Sequence, residues 1–216
     1  MVRVVGIDFD GTIADTLPLC IEAFRLALAP VCGRMLSDEE ITEGFGMDEE
    51  GIARRLAPNR WREVVDGYLR HYEILHPQYS GVIDGMEDVL KTVKNFGAKL
   101  VLITGKAKAS ADISLKKFGI IKYFDAFEFG SPVKNRKAEA IAAALARYKI
   151  SPAEMVYIGD VPSDVEAARA NRVRCLSAAY AKTAQAELLE LSNPGNVFYG
   201  VGGLKAELVK ILKPRA

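Results

Sequence analysis

Short apolar runs alternate along this chain with longer stretches in which apolar residues recur at helical spacing. The apolar runs predict strands at residues 4–7, 99–103, 126–129, 155–158 and 173–176, with a last strand near residues 197–198. From residue 81 onward, helical patterns such as those at 86–96 and 137–148 separate most of these strands. This alternation favours a parallel sheet with right-handed crossovers and helices on both faces. We therefore predict an α/β protein with a doubly wound parallel sheet.

The segment from residue 16 to residue 79 departs from this alternation because it holds helical patterns and no predicted strand. Its apolar stripes can be buried if the helices pack on one another as a small bundle. We expect Pro30 and Gly33 to end the first of these helices and Pro77 to end the last. Because the segment follows the first strand directly, we predict that it forms a cap over the sheet's carboxyl edge. The predicted domains are a core of residues 1–15 and 80–216 and a helical cap of residues 16–79.

Polar residues follow three of the predicted strands at the point where each strand ends. Asp8 and Asp10 follow the first strand, Thr104 and Gly105 follow the second, and the fourth is followed by Asp160 and, four residues later, Asp164. Carboxyl ends of parallel strands meet at the edge where ligands bind in such sheets. Asp8 and Asp10 beside Gly11 also fit an ordinary turn.

The chemistry of these groups predicts a cation and an oxyanion at that edge. Carboxylates held close together repel, and a divalent cation allows them to stay ionised. Ligation by the oxygens of Asp8, Asp10 and Asp160 is what Mg²⁺ prefers, and no histidine or cysteine competes for that role. The Thr104 hydroxyl and the backbone N–H groups after it suit a phosphate.

Composition narrows the class of protein further. The 216 residues are half hydrophobic, which is ordinary for a soluble globular protein with one large core or a core and a small insert. The net charge of +1 gives no reason to expect a nucleic-acid or membrane partner. Acids within the first apolar run are incompatible with a signal peptide or a membrane span, so we expect a cytoplasmic protein. Nothing in the sequence indicates an oligomeric state.

In their order along the chain, these motifs resemble those of the haloacid dehalogenase (HAD) superfamily. The resemblance covers essentially residues 2–178 and rests on the run from Asp8 to Ile13, the strand end at Leu102 to Lys106, a downstream lysine, and the run from Gly159 to Asp164. It implies a Rossmann-like core with an inserted C1-type cap. The lysine is either Lys137, which we prefer because it opens a helix, or Lys134, which lacks the proline that follows it in some members.

The resemblance also implies a role for each motif residue. Asp8 would be the nucleophile that forms an aspartyl-phosphate, and Asp10 the general acid and base. Mg²⁺ would be held by Asp8, the backbone carbonyl of Asp10 and Asp160. Thr104, Gly105 and the lysine would bind the phosphate. Asp164 would either reach the metal through water or cap the helix that begins near it.

The function that follows is a Mg²⁺-dependent phosphatase acting on a small phosphomonoester, most similar to the phosphoglycolate-phosphatase branch. A carboxylate at the position of Asp10 accompanies phosphoryl transfer in this superfamily, which argues against dehalogenation. The alternatives are a phosphosugar mutase resembling β-phosphoglucomutase and, less favoured, a phosphate-binding or partner-binding protein without turnover.

Substrate selectivity is expected to come from the cap, because the core motifs contact the phosphoryl group and the metal. The candidates for substrate contact are Arg25, Arg54, Arg55, the run Phe45-Gly46-Met47, and Lys106 beside the second motif. Cationic residues on a helical insert are also common as solvated surface. We predict that the aromatic stripe from Trp61 to Tyr72 belongs to the core of the helical bundle.

Overall fold

The computed structural model describes residues 1–79 and 81–213. The strands are β1 (Val4–Ile7), β2 (Lys99–Ile103), β3 (Ala126–Glu128), β4 (Met155–Gly159), β5 (Arg174–Ala178) and β6 (Val197–Phe198). The helices are α1 (Leu17–Cys32), α2 (Asp38–Thr42), α3 (Glu49–Leu56), α4 (Trp61–Tyr79), α5 (Met86–Asn95), α6 (Lys108–Lys117), α7 (Lys137–Tyr148), α8 (Pro162–Ala170), α9 (Ala186–Ser192) and α10 (Val201–Leu212).

All six strands form one parallel sheet in the order β3-β2-β1-β4-β5-β6. The first strand of the chain therefore lies at the centre, where Val4 is in register with Lys99 of β2 on one side and Met155 of β4 on the other. The strand order reverses at this point, which is where α/β sheets bind ligands at their carboxyl edge. The predicted fold class, a doubly wound α/β sheet, is confirmed.

Each face of the sheet is covered by helices, as alternation of side chains along the strands requires. Val5 and Ile7 of β1 belong to one buried cluster with residues of α5, α6 and α10. Val4 belongs to the opposite cluster with residues of α7, α8 and α9. Strands that are buried on both faces read as continuous apolar runs, which is why they could be located in the sequence.

Helices α1 to α4 have a hydrophobic cluster of their own. In this cluster α1 packs against α4, and the Phe24 and Tyr68 ring centroids lie 4.2 Å apart. Of the aromatic stripe, Tyr68 and Tyr72 are fully buried, as expected, whereas Trp61 is partly exposed and packs against the edge of the cluster. The division of the chain into a core and a cap at residues 15/16 and 79/80 stays a prediction, which the separate cluster favours.

Two helix ends differ from the prediction. Pro30 and Pro77 lie inside α1 and α4, each two residues before the last helical residue. A proline within a helix removes one hydrogen bond and its ring presses on the carbonyl four residues back, which is consistent with both helices ending two residues later. Gly33 ends α1 as predicted, in a left-handed conformation with φ of 69°. Helix α9 was not predicted, because among its seven residues Leu189 alone is buried and a single residue gives no periodicity.

Within the described residues, no helix combines the length and the apolar character that crossing a bilayer requires. The cytoplasmic location stays a prediction.

The loops that follow β2 and β3 pack tightly against each other at the carboxyl edge. The Thr104 N–H donates to the Glu128 carbonyl at 3.0 Å, and the Gly130 N–H donates to the Lys106 carbonyl at 2.8 Å. A Cβ atom at Gly130 would lie 1.9 Å from the Gly105 carbonyl oxygen. Glycine is therefore required where the two backbones meet.

We predict that Gly130→Ala lowers the free energy of unfolding by about 1–3 kcal/mol, because the backbones must separate to admit the methyl group. Gly202→Ala in α10 is the matched control, since a Cβ there has no neighbour within 4 Å. Urea unfolding followed by circular dichroism measures both variants. Equal stability of the two variants would contradict this account of the edge.

Candidate active site

Three carboxylates meet at the carboxyl edge of the sheet beside the central strand. Asp8 directly follows β1, and its backbone N–H still donates to the Ile158 carbonyl of β4 at 2.9 Å. Asp160 directly follows β4, and Asp164 lies in the first turn of α8. All three are buried, and each offers a carboxylate oxygen within 4.8 Å of the other two. The structure thus brings together two residues that are 152 positions apart in the chain, Asp8 and Asp160, and adds Asp164.

A single lysine connects two of these acids. The Lys137 Nζ lies 2.5 Å from Asp8 Oδ2 and 2.6 Å from Asp164 Oδ1. Lys137 is the first residue of α7, the position from which the preferred lysine was expected to act. The second choice, Lys134, has a side chain that is 65% exposed and pairs with Glu139. The structure therefore places Lys137, and not Lys134, beside the acids.

Asp164 is held by several donors. Its Oδ2 accepts the N–H groups of Asp160 at 3.1 Å and Val161 at 3.2 Å, and its Oδ1 accepts the Tyr157 hydroxyl at 3.0 Å. The carboxylate therefore caps the backbone where β4 passes into α8, which is one of the two roles considered from the sequence. A role as metal ligand stays a prediction.

Two glycines allow the acids to approach so closely. Gly11 has a φ of 72°, and a Cβ there would lie 2.1 Å from Asp160 Oδ2. A Cβ at Gly159 would lie 2.4 Å from the Asp164 carboxyl group. Thr12, next to Gly11, donates from Oγ1 to Asp160 Oδ1 at 2.9 Å. The turn after β1 therefore contacts the turn after β4 directly.

The Asp10 side chain lies apart from the three clustered carboxylates. Its Oδ1 accepts from Thr16 Oγ1 at 2.5 Å and lies 3.2 Å from Lys106 Nζ. The ligand that the resemblance implies at this position is the Asp10 backbone carbonyl, and that assignment stays a prediction. The Asp10 carboxylate therefore has different partners from those of Asp8.

Lys106 lies deeper in the site than its place in the sequence indicated. Only 4% of the residue is exposed, and its Nζ lies 3.2 Å from Cys20 Sγ and 4.7 Å from the centre of the Tyr72 ring. Burial by itself lowers the pKa of Lys106, but Asp10 and, to a lesser degree, Cys20 and the nearby tyrosines together hold that pKa well above its usual value. Its position two residues after Thr104, at a strand end, was the available sequence signal.

The phosphate-binding residues expected from the second motif are divided between two locations. Gly105 lines the cavity above the acids. Thr104 is buried, and its Oγ1 accepts the Lys106 N–H at 3.2 Å. In the described part of the chain, Thr104 is not among the residues that line the cavity. Direct contact between Thr104 and a phosphate stays a prediction.

The buried acids carry more negative charge than Lys137 can offset. Burial raises the pKa of Asp8 to about 6; the Lys137 charge opposes this and the Asp164 charge adds to it. Burial and the nearby charges of Asp8 and Asp164 raise the pKa of Asp160 well above its usual value. A cation with oxygen ligands would reverse both effects. The donor set and its charge therefore fit a Mg²⁺ ion.

A cavity of about 370 Å³ lies between these acids and the helical segment. The sheet edge contributes Asp8, Asp10, Gly105, Lys137 and Asp160 to its lining, and the helical segment contributes mostly apolar side chains. Phe45, Gly46 and Met47 line the cavity, as was considered from the sequence.

The three candidate arginines lie outside the described lining and have partners elsewhere. Arg25 pairs with Glu22 and Asp38, Arg54 with Glu50, and Arg55 with Glu43. Two lining residues, Cys20 and Glu49, were not singled out from the sequence, because an isolated cysteine or a first-turn glutamate is common in any helix.

The model of the haloacid dehalogenase-like hydrolase family matches residues 6–178. The chain belongs to this family. It is 28% identical over 180 residues to a phosphoglycolate phosphatase from Thiobacillus denitrificans, covering 78% of this chain and 79% of that protein. It is 26% identical over 166 residues to pyrophosphatase PpaX from Halalkalibacterium halodurans, covering 76% and 77% of the two chains.

The fold agrees with this membership. A hydrolase from Pseudomonas syringae superposes with a TM-score of 0.78 at 20% identity, over 97% of this chain and 99% of that one. The predicted superfamily, haloacid dehalogenase-like, is confirmed.

We predict that Lys137→Met lowers the free energy of unfolding by roughly 3 kcal/mol at pH 7, because Asp8 and Asp164 lose their counter-ion in a buried site. Lys134→Met is the matched control and should change it by less than about 0.5 kcal/mol, since its ion pair is exposed. Urea unfolding in EDTA measures both, so that a stray cation does not replace the lysine. Equal effects of the two substitutions would contradict the assignment of Lys137 as the counter-ion of the buried acids.

Proposed function

We propose that this protein is a Mg²⁺-dependent phosphatase that hydrolyses a small phosphomonoester through an aspartyl-phosphate on Asp8. The observation that carries the proposal is the position of the Asp8 carboxylate in the cavity lining, beside both Lys137 and Asp160. A carboxylate that is fixed in this way can act as a nucleophile toward phosphorus. Family membership and the names of the relatives support the same reaction class.

The metal would be held by Asp8, Asp160 and the Asp10 backbone carbonyl, with Asp164 as a further or water-mediated ligand. When bound, Mg²⁺ offsets the charge of the nucleophile and the phosphate and favours an in-line arrangement. Lys137 and the backbone at Gly105 would bind the phosphoryl oxygens, with Thr104 supporting that loop.

Two steps then follow from the positions of the carboxylates. In the first, an Asp8 oxygen forms a bond to phosphorus while the bond from phosphorus to the ester oxygen breaks, and Asp10 gives that oxygen a proton. In the second, a water oxygen forms a bond to phosphorus while the bond from phosphorus to the Asp8 oxygen breaks, and Asp10 takes a proton from that water. Inorganic phosphate is released and the Asp8 carboxylate is restored.

The contacts of Asp10 suit this exchange of protons. Thr16 and Lys106 both contact Oδ1, which fixes the orientation of the carboxyl group. Among the described residues, Asp10 Oδ2 has no hydrogen-bond partner, so this oxygen is available to carry the proton. The helical segment 16–79 is proposed as the cap that closes the cavity above both acids.

We predict that Asp8→Asn lowers the turnover of phenyl phosphate by about 10³-fold or more, because an amide is not a nucleophile toward phosphorus. Asp66→Asn, an exposed change of the same chemistry on α4, should leave turnover unchanged. Release of inorganic phosphate is the readout, and circular dichroism checks that both variants are folded. Undiminished turnover by the Asp8 variant would remove this residue from the mechanism.

Chelation should stop turnover, and added Mg²⁺ should restore it, because the clustered acids need a cation before they can face a phosphate dianion. Asp160→Asn should raise the Mg²⁺ concentration for half-maximal activity at least tenfold. Calorimetric titration with Mg²⁺ provides a readout that is independent of turnover. Full activity in excess EDTA would exclude the metal from the proposal.

A further inference from the structure

The part of the cavity that faces the helical segment is almost entirely apolar. Its apolar side chains are the half-buried Leu17, Phe45 and Met47 and the buried Phe24, Ile52 and Tyr68. They come from α1, α3, α4 and the loop between α2 and α3, so several elements build one continuous surface. This surface lies opposite the acids that would hold the phosphoryl group. It is therefore the surface that the rest of a substrate contacts.

The cations at the cavity already have anionic partners. Four carboxylates and two lysines are among the described lining residues. Lys137 contacts Asp8 and Asp164, and Lys106 contacts Asp10. Lys137 would bind the phosphoryl group, so the remaining cation of the described lining is Lys106, which is buried and paired with Asp10. A second negative group on a substrate would have to compete with that carboxylate.

Glu49 is a further acid at the cavity. It is buried, its Oε2 accepts the Ala107 N–H at 2.6 Å, and it also accepts the Ser110 hydroxyl. These donors hold its carboxylate in place at the cavity. Burial raises the pKa of Glu49, and the Lys106 charge opposes that shift. A substrate carboxylate or second phosphate would meet another acid here.

We propose that the substrate is a phosphomonoester whose alcohol portion is uncharged and mainly apolar. This inference rests on the proposed phosphatase function and names the substrate class for that site. An apolar group gains free energy by leaving water for this surface, whereas a desolvated anion without a partner loses it. Phosphoglycolate and pyrophosphate, which the names of two relatives indicate, each carry a second anionic group and should be poor substrates.

The first test compares kcat/KM for benzyl phosphate, 2-phosphoglycolate and inorganic pyrophosphate with Mg²⁺, using phosphate release as the readout. Benzyl phosphate should exceed each of the others by at least tenfold, since apolar pockets discriminate by this factor for even a methylene group. A higher value for 2-phosphoglycolate or pyrophosphate would overturn the inference and leave the phosphatase proposal standing.

A charge placed on the apolar surface should reverse the selectivity. Met47→Arg supplies a cation where the structure has none, so the ratio of kcat/KM for benzyl phosphate to that for 2-phosphoglycolate should fall at least tenfold. Met35→Arg is the matched control, because Met35 is 54% exposed and lies outside the cavity lining. An unchanged ratio in a folded Met47→Arg protein would overturn the inference.

Binding of non-hydrolysable analogues separates this inference from the proposed function. Calorimetry in Mg²⁺ would compare benzylphosphonate with phosphonoacetate, which keeps the second anionic group. Benzylphosphonate should bind at least tenfold more tightly, and this holds even if no ester is hydrolysed and the phosphatase proposal fails. Equal or tighter binding of phosphonoacetate would overturn the inference.

Discussion

The ion pairs that Lys137 makes with Asp8 and Asp164 are the interactions on which the rest of the site depends. Three buried carboxylates within 4.8 Å of one another repel strongly, and in a poorly solvated site this repulsion is little screened. The lysine offsets part of that charge, and the proposed divalent cation would offset the remainder.

The backbone makes this crowding possible. Because the sheet is parallel and β1 lies next to β4, Asp8 and Asp160 emerge side by side. Gly11 lies close to the Asp160 carboxylate, and Gly159 lies close to the Asp164 carboxylate. A Cβ atom at either glycine would clash with that carboxylate. The fold therefore determines the chemistry through two loops, and the helices that cover the sheet hold those loops in place.

The sequence predicted much of this because its strongest signals are local. Buried strands appear as apolar runs, and Asp8 and Asp160 follow such runs directly, so their meeting at one edge could be inferred. Helix α9 could not be inferred, since it buries a single residue. The sequence did not indicate how Lys106 and Glu49 contribute to the site, because each contacts a residue that is distant in the chain. Lys106 pairs with Asp10, and Glu49 accepts the backbone N–H of Ala107. Such contacts leave no periodic pattern.

The helical segment and the sheet edge meet around these same residues. Besides Glu49, Tyr72 also connects the helical segment to the sheet edge. Its hydroxyl lies 2.8 Å from Ser114 Oγ on α6, and its ring lies beneath Lys106 Nζ. The position of Lys106 therefore connects the Asp10 carboxylate to the helices that form the apolar surface. The residues that would recognise the alcohol portion of the substrate and the Asp10 carboxylate that would transfer the proton are therefore physically linked.

The proposed mechanism requires that the phosphoryl group is transferred to Asp8. The most direct measurement is to quench the protein with acid during turnover in Mg²⁺, reduce it with borohydride, and locate the product by peptide mass spectrometry. Reduction of an acyl phosphate converts its aspartate to homoserine, so the account predicts homoserine at position 8. Homoserine at position 10 or 160 instead would contradict it.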